Sequence, residues 1–118
     1  MSRRGYEARK LVEERWPNLS NLIGCYFNQD FDLLYGSLEG AFESAVRDGT
    51  LAYRQSVLRE WRDLQLVEGT GTDLRASLAV LGADVLFKKA KDARSFMNLF
   101  YDKLIEQVRA ETSKEWKP

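Results

Sequence analysis

Apolar residues recur along this chain at three- and four-residue spacing, which predicts helices along nearly its whole length. Leu19, Leu22, Ile23, Tyr26 and Phe27 share one face of a helix expected to stop or bend near Asn28. Phe31, Leu34, Leu38, Phe42 and Ala45 make the stripe of a helix predicted over 31–48. Tyr53, Val57, Leu58, Trp61 and Leu64 do so over 51–67, and Phe96, Met97, Phe100, Leu104 and Val108 in a long last helix. Two shorter segments complete the set. One covers 6–16, with Tyr6, Leu11 and Trp16 as anchors. The other carries Leu74, Leu78 and Leu81.

The breakers fall between these stripes. Pro17 ends the first segment because its ring clashes with a continuing helix, and Asn18 reads as the cap of the next. Gly49 suits the left-handed position after a helix, followed by Thr50 as a cap. Thr72 or Asp73 caps the short helix, and Asp92 the last. The stretch 84–91, with Val85, Leu86 and Phe87 before Lys88, Lys89 and Lys91, is either a bent connection or continuing helix. No segment alternates with period two, so no sheet is expected. The predicted architecture is all-α, a single compact bundle of five to six short antiparallel helices over 1–118, frayed at 1–5 and 112–118.

Composition narrows the chemistry. The 118 residues include no histidine and one cysteine, Cys25. Ser-His-Asp, Cys-His and histidine-metal chemistry are therefore excluded. An intrachain disulfide is impossible, which fits a reducing cytoplasm. Cys25 lies among apolar residues and is expected as a small buried hydrophobe. No apolar run approaches a membrane span, and the N-terminal residues lack the apolar core of a secretory signal. The net charge is zero, with 18 basic and 18 acidic residues, so nothing draws the whole chain to nucleic acid or anionic lipid.

The charge is unevenly spread. Between Asn18 and Tyr53 stand five acids, Asp30, Asp32, Glu39, Glu43 and Asp48, and one base, Arg47. If the third helix has begun by Asp32, then Asp32, Glu39 and Glu43 share a face beside the aromatic stripe. That face is either solvated surface or a docking face for a basic partner. Asp30 and Asp32 could also pair around a metal ion, but a capping role for Asp30 is the simpler account. The basic group Lys88, Lys89, Lys91 and Arg94 lacks the interleaved aromatics that stack single-stranded nucleic acid.

The string Tyr26-Phe27-Asn28-Gln29-Asp30-Phe31-Asp32, followed by Tyr35-Gly36, resembles the signature of small all-helical immunity proteins from bacterial contact-dependent growth inhibition systems. The specific motif spans about a dozen positions, and helix order extends the resemblance loosely over most of the chain. Asn28 stands where the family usually has histidine, and lysines fill 84–91 where a glycine- or proline-containing connection is usual. The resemblance implies a non-enzymatic cytoplasmic protein, without cofactor, metal, membrane or direct nucleic-acid binding. Its partner would be the toxic C-terminal domain of a large exported protein, in many cases a nuclease and in some a tRNA nuclease. The expected contacts are Asp32, Glu39 and Glu43, with Asp30 and Tyr35 from the signature and Glu60 and Asp63 on the fourth helix. The free chain is expected to be a monomer. The competing expectation is a self-associating adaptor bundle.

Overall fold

The computed structural model describes residues 10–27, 36–69, 73–81 and 87–118, apart from the side chains of Leu38 and Glu68. All regular structure among them is helical. In chain order the helices are α1 (residues 10–15), α2 (Pro17–Tyr26), α3 (Leu38–Arg47), α4 (Leu51–Glu68), α5 (Leu74–Val80) and α6 (Ala90–Glu111). The main contacts run α2 to α4, α4 to α6, α6 to α3 and α3 to α2, a closed cycle of four helices with α5 packed on α6. Helices α3 and α4, joined by the tight turn Asp48-Gly49-Thr50, thus both lean chiefly on α2 and α6. No helix among the described residues is long and apolar enough to cross a membrane.

The core is built from the predicted stripes. Leu19, Leu22, Ile23 and Phe27 of the second segment are buried, as are Val57, Leu58, Trp61 and Leu64 of α4. Met97, Phe100, Leu104 and Val108 line the buried face of α6. At one end four phenylalanines close a ring of edge-to-face contacts. Phe27 and Phe42 each meet both Phe96 and Phe100, at centroid distances of 5.2 to 5.9 Å. Such geometry sets positive ring edges against negative faces and adds to the burial of each ring. It ties the end of α2 to α3 and α6.

Several boundaries differ from expectation. Helix α3 begins at Leu38, not near residue 31, because Gly36 takes φ +82° and Ser37 is extended, its hydroxyl accepting from the Gly40 N–H at 3.0 Å. Phe31, Asp32 and Leu34 lie outside the described residues. The cap of α2 is Trp16 rather than Asn18, with Pro17 at the first helical position, where a missing N–H costs nothing. The last helix starts at Ala90, placing Asp92 inside its first turn instead of at its cap. Leu11 is exposed and Val12 packs inward instead. Trp16 is buried, and Cys25 is exposed against expectation.

Three caps stand where the spacing placed them. Gly49 has φ +85° directly after α3, Thr50 accepts from the Tyr53 N–H, and Asp73 accepts from the Arg75 N–H. Beyond α6 the chain turns back instead of trailing away. The Arg59 guanidinium lies 5.9 Å from the Trp116 ring centre, and the carbonyls of Trp116 and Pro118 accept from Arg109 and Arg62. Of the stretch 84–91, residues 84–86 lie outside the described part, 87–89 are non-helical, and 90–91 open α6.

Candidate functional site

The carboxylates expected to meet a partner divide into two kinds. Glu60 and Asp63 on α4 are engaged by the fold. Glu60 Oε1 accepts from the backbone N–H groups of Asn18 at 2.8 Å and Leu19 at 3.1 Å, and its Oε2 accepts from the Asn18 side-chain amide at 2.7 Å. Pro17 has no N–H to satisfy, and the Ser20 N–H reaches the Trp16 carbonyl. Every first-turn donor of α2 therefore has a partner, and the cap is a carboxylate from another helix that also opposes the positive helix end. Glu60→Ala should cost about 2 kcal/mol of stability, because two backbone donors lose a charged acceptor. Chemical denaturation would read this. A loss below roughly 0.5 kcal/mol would mean that water replaces the cap without penalty.

Asp63 Oδ2 accepts from the Trp16 indole N–H at 2.8 Å and from Arg15 Nε at 3.0 Å. The hydrogen bond from Arg15, then that from Trp16, holds its carboxyl below the usual carboxylate range. A depressed folded pKa stabilises the protein above the unfolded value near 3.8, and that contribution is lost as the pH falls further. Asp63→Asn should therefore lose stability at neutral pH and show a weaker fall in stability below about pH 4 than the parent chain. Thermal unfolding from pH 7 to pH 3 tests this, and parallel curves for the two proteins would contradict it.

Glu39 and Glu43 are different. They are exposed on α3, one turn apart, and neither makes a hydrogen bond or ion pair with another described residue. With Phe42 and Val46 they form one face of α3. Phe96, Leu99 and Lys103 form the facing ridge of α6, and the two enclose an open groove of ≈ 500 Å³. Its floor is apolar. Phe42 and Phe96 show the outer edges of the phenylalanine ring, and Leu99 is 53% exposed on a helix whose other face is core. The two carboxylates stand on the α3 wall, and Lys103 stands on the α6 wall near Glu106.

Asp30, Asp32 and Tyr35 lie outside the described residues. The supposed common face of Asp32, Glu39 and Glu43 required one helix through all three, and α3 does not extend back to Asp32. Among the described residues no group of three His, Cys, Asp or Glu side chains could hold a metal ion. Sequence reasoning missed Leu99 and Lys103. Their signal was present, since Phe96, Leu99 and Lys103 follow helical spacing on the edge of the core stripe.

Neither comparison with curated proteins nor comparison with solved structures gives a significant match. A family model described as CdiI immunity protein matches residues 15–113. That stretch begins at the Arg15–Asp63 contact, takes in α2 to α6 and contains the groove. An all-helical fold, with a family model matched over most of its length, gives the identification: this chain belongs to the CdiI immunity protein family of contact-dependent growth inhibition.

Proposed function

We propose that this chain acts in the cytoplasm, where it binds the toxic C-terminal domain of its cognate exported protein through the acidic face of α3, and that this toxin is a nuclease. Family membership supplies the kind of partner, a CdiA toxin domain. The observation that carries the choice of face is the contrast among the carboxylates. Glu60 and Asp63 are held by α1 and α2, while Glu39 and Glu43 project beside an apolar groove without a partner among the described residues. A nuclease presents a basic surface to phosphate, and an acidic face on its inhibitor speeds encounter and competes for that surface.

The test uses the C-terminal domain of the exported protein encoded immediately upstream. Co-purification with this chain and protection of cells producing the domain are the expected results. Degraded RNA or DNA in unprotected cells supports a nuclease, and intact nucleic acid overturns that part. The double substitution Glu39→Lys/Glu43→Lys should slow association roughly tenfold at low salt and flatten its dependence on ionic strength. An unchanged rate and salt response would place the interface elsewhere.

A further inference from the structure

We infer that the groove between α3 and α6 receives an apolar side chain of the toxin domain, flanked in that domain by a lysine or arginine that reaches Glu39 and Glu43. The inference rests on the proposed function and specifies what the acidic face recognises. Carboxylates alone would read charge, and an exposed helix face supplies them cheaply. Here they border a cleft with an apolar floor. Phe42, Val46 and Leu99 offer carbon surface, while Glu39 and Glu43 stand along one wall and Lys103 along the other.

That arrangement sorts partners by two criteria. An apolar anchor gains by leaving water for the floor, and a neighbouring cation gains by meeting two carboxylates at the rim of a partly desolvated cleft. A purely basic loop would leave the floor wet. A purely apolar segment would leave two acids facing it without a counter-charge. On the opposite wall Lys103 pairs with Glu106 at 4.0 Å, so a reversed segment would set its cation beside Lys103 instead of beside the two acids. Leu99 is the contact expected to dominate, because it lines the groove, is aliphatic and is already half out of water on a long helix. Its exposure also makes it separable from the fold, since none of the ring contacts among the phenylalanines passes through it.

The experiment compares the full chain with Leu99→Gln and with Glu39→Lys/Glu43→Lys. Each is measured for binding kinetics against an inactivated version of the upstream toxin domain and for mass in solution without it. Thermal unfolding confirms that each variant is folded. Leu99→Gln should raise the dissociation rate at least tenfold and leave the salt dependence as in the parent. The charge variant should act mainly on association. Dissociation of Leu99→Gln at the parent rate, with the charge variant impaired, would overturn the groove inference and leave the acidic face standing. A parent chain that fails to bind the folded toxin domain would remove the functional proposal itself. A parent chain that is dimeric until Leu99 is replaced would assign the groove to a second copy and overturn the inference.

Discussion

Phe100→Ala is expected to destabilise the protein by about 4 kcal/mol, a large part of the roughly 5–15 kcal/mol that holds a domain of this kind together. Phe100 is buried in α6 and makes two of the four edge-to-face contacts in the phenylalanine ring, with Phe27 of the α2 end and Phe42 of α3. Truncation removes its burial and also opens a cavity where three helices meet, which α2, α3 and α6 can close only by moving together. Phe100→Leu, which fills most of the space, should cost on the order of 1.5 kcal/mol. Urea denaturation measures both. The midpoint should fall with little change in slope, and a cost for alanine no greater than that for leucine would show that the ring cluster does not hold these helices together.

Arg54→Met should cost about 3 kcal/mol and lower the melting temperature by roughly 12 °C. Arg54 is 3% exposed in the inner face of α4. Its Nη1 donates to the carbonyls of Arg47, Asp48 and Gly49 at 3.1 to 3.2 Å, and its Nη2 donates to Glu111. One guanidinium thus closes the end of α3, fixes the turn into α4 and pins the end of α6. Methionine keeps much of the volume and leaves those carbonyls without a charged donor. Glu111 is partly exposed and can turn to water, so most of the loss comes from the turn. Glu111→Gln should accordingly be mild. Arg54→Lys should recover only part of the loss, because an ammonium group cannot fork towards the turn and α6 together. If Arg54→Met unfolds no earlier than Glu111→Gln, the turn does not depend on the guanidinium.

Arg54 also shows where the sequence stopped being legible. The apolar positions of α4 follow helical spacing, and Gly49 and Thr50 mark the preceding turn by rules that act within a few residues. An arginine between Tyr53 and Val57 reads as surface by composition. The turn beneath it, which offers three carbonyls, and the Glu111 carboxylate make its burial tolerable. Glu60 and Asp63 resembled free acids for a related reason, as their donors lie more than forty positions earlier in the chain. Trp16 read as an anchor of the first segment, but nothing local showed that Asp63 would accept from its indole and let the ring go inside. The late start of α3 did have a local signal. Gly36-Ser37 before Leu38-Glu39-Gly40 is a left-handed residue followed by a capping hydroxyl, which the continuing apolar stripe obscured. The groove was half visible: Glu39 and Glu43 stood out by charge, whereas Leu99 and Lys103 become partners of that face only once α3 lies against α6.

The separation between acids that hold the fold and acids that only line the groove has a consequence for how such a protein can change over time. Glu39, Glu43, Leu99 and Lys103 project from rigid helices without closing a cap, a turn or a core contact, so exchanging one for another side chain should shift stability by about 0.5 kcal/mol or less. Glu60, Asp63 and Arg54, a helix away, tolerate no such freedom. A lineage built on this scaffold can therefore try new combinations at the groove one mutation at a time, with every intermediate still folded and the helices that present the groove unchanged.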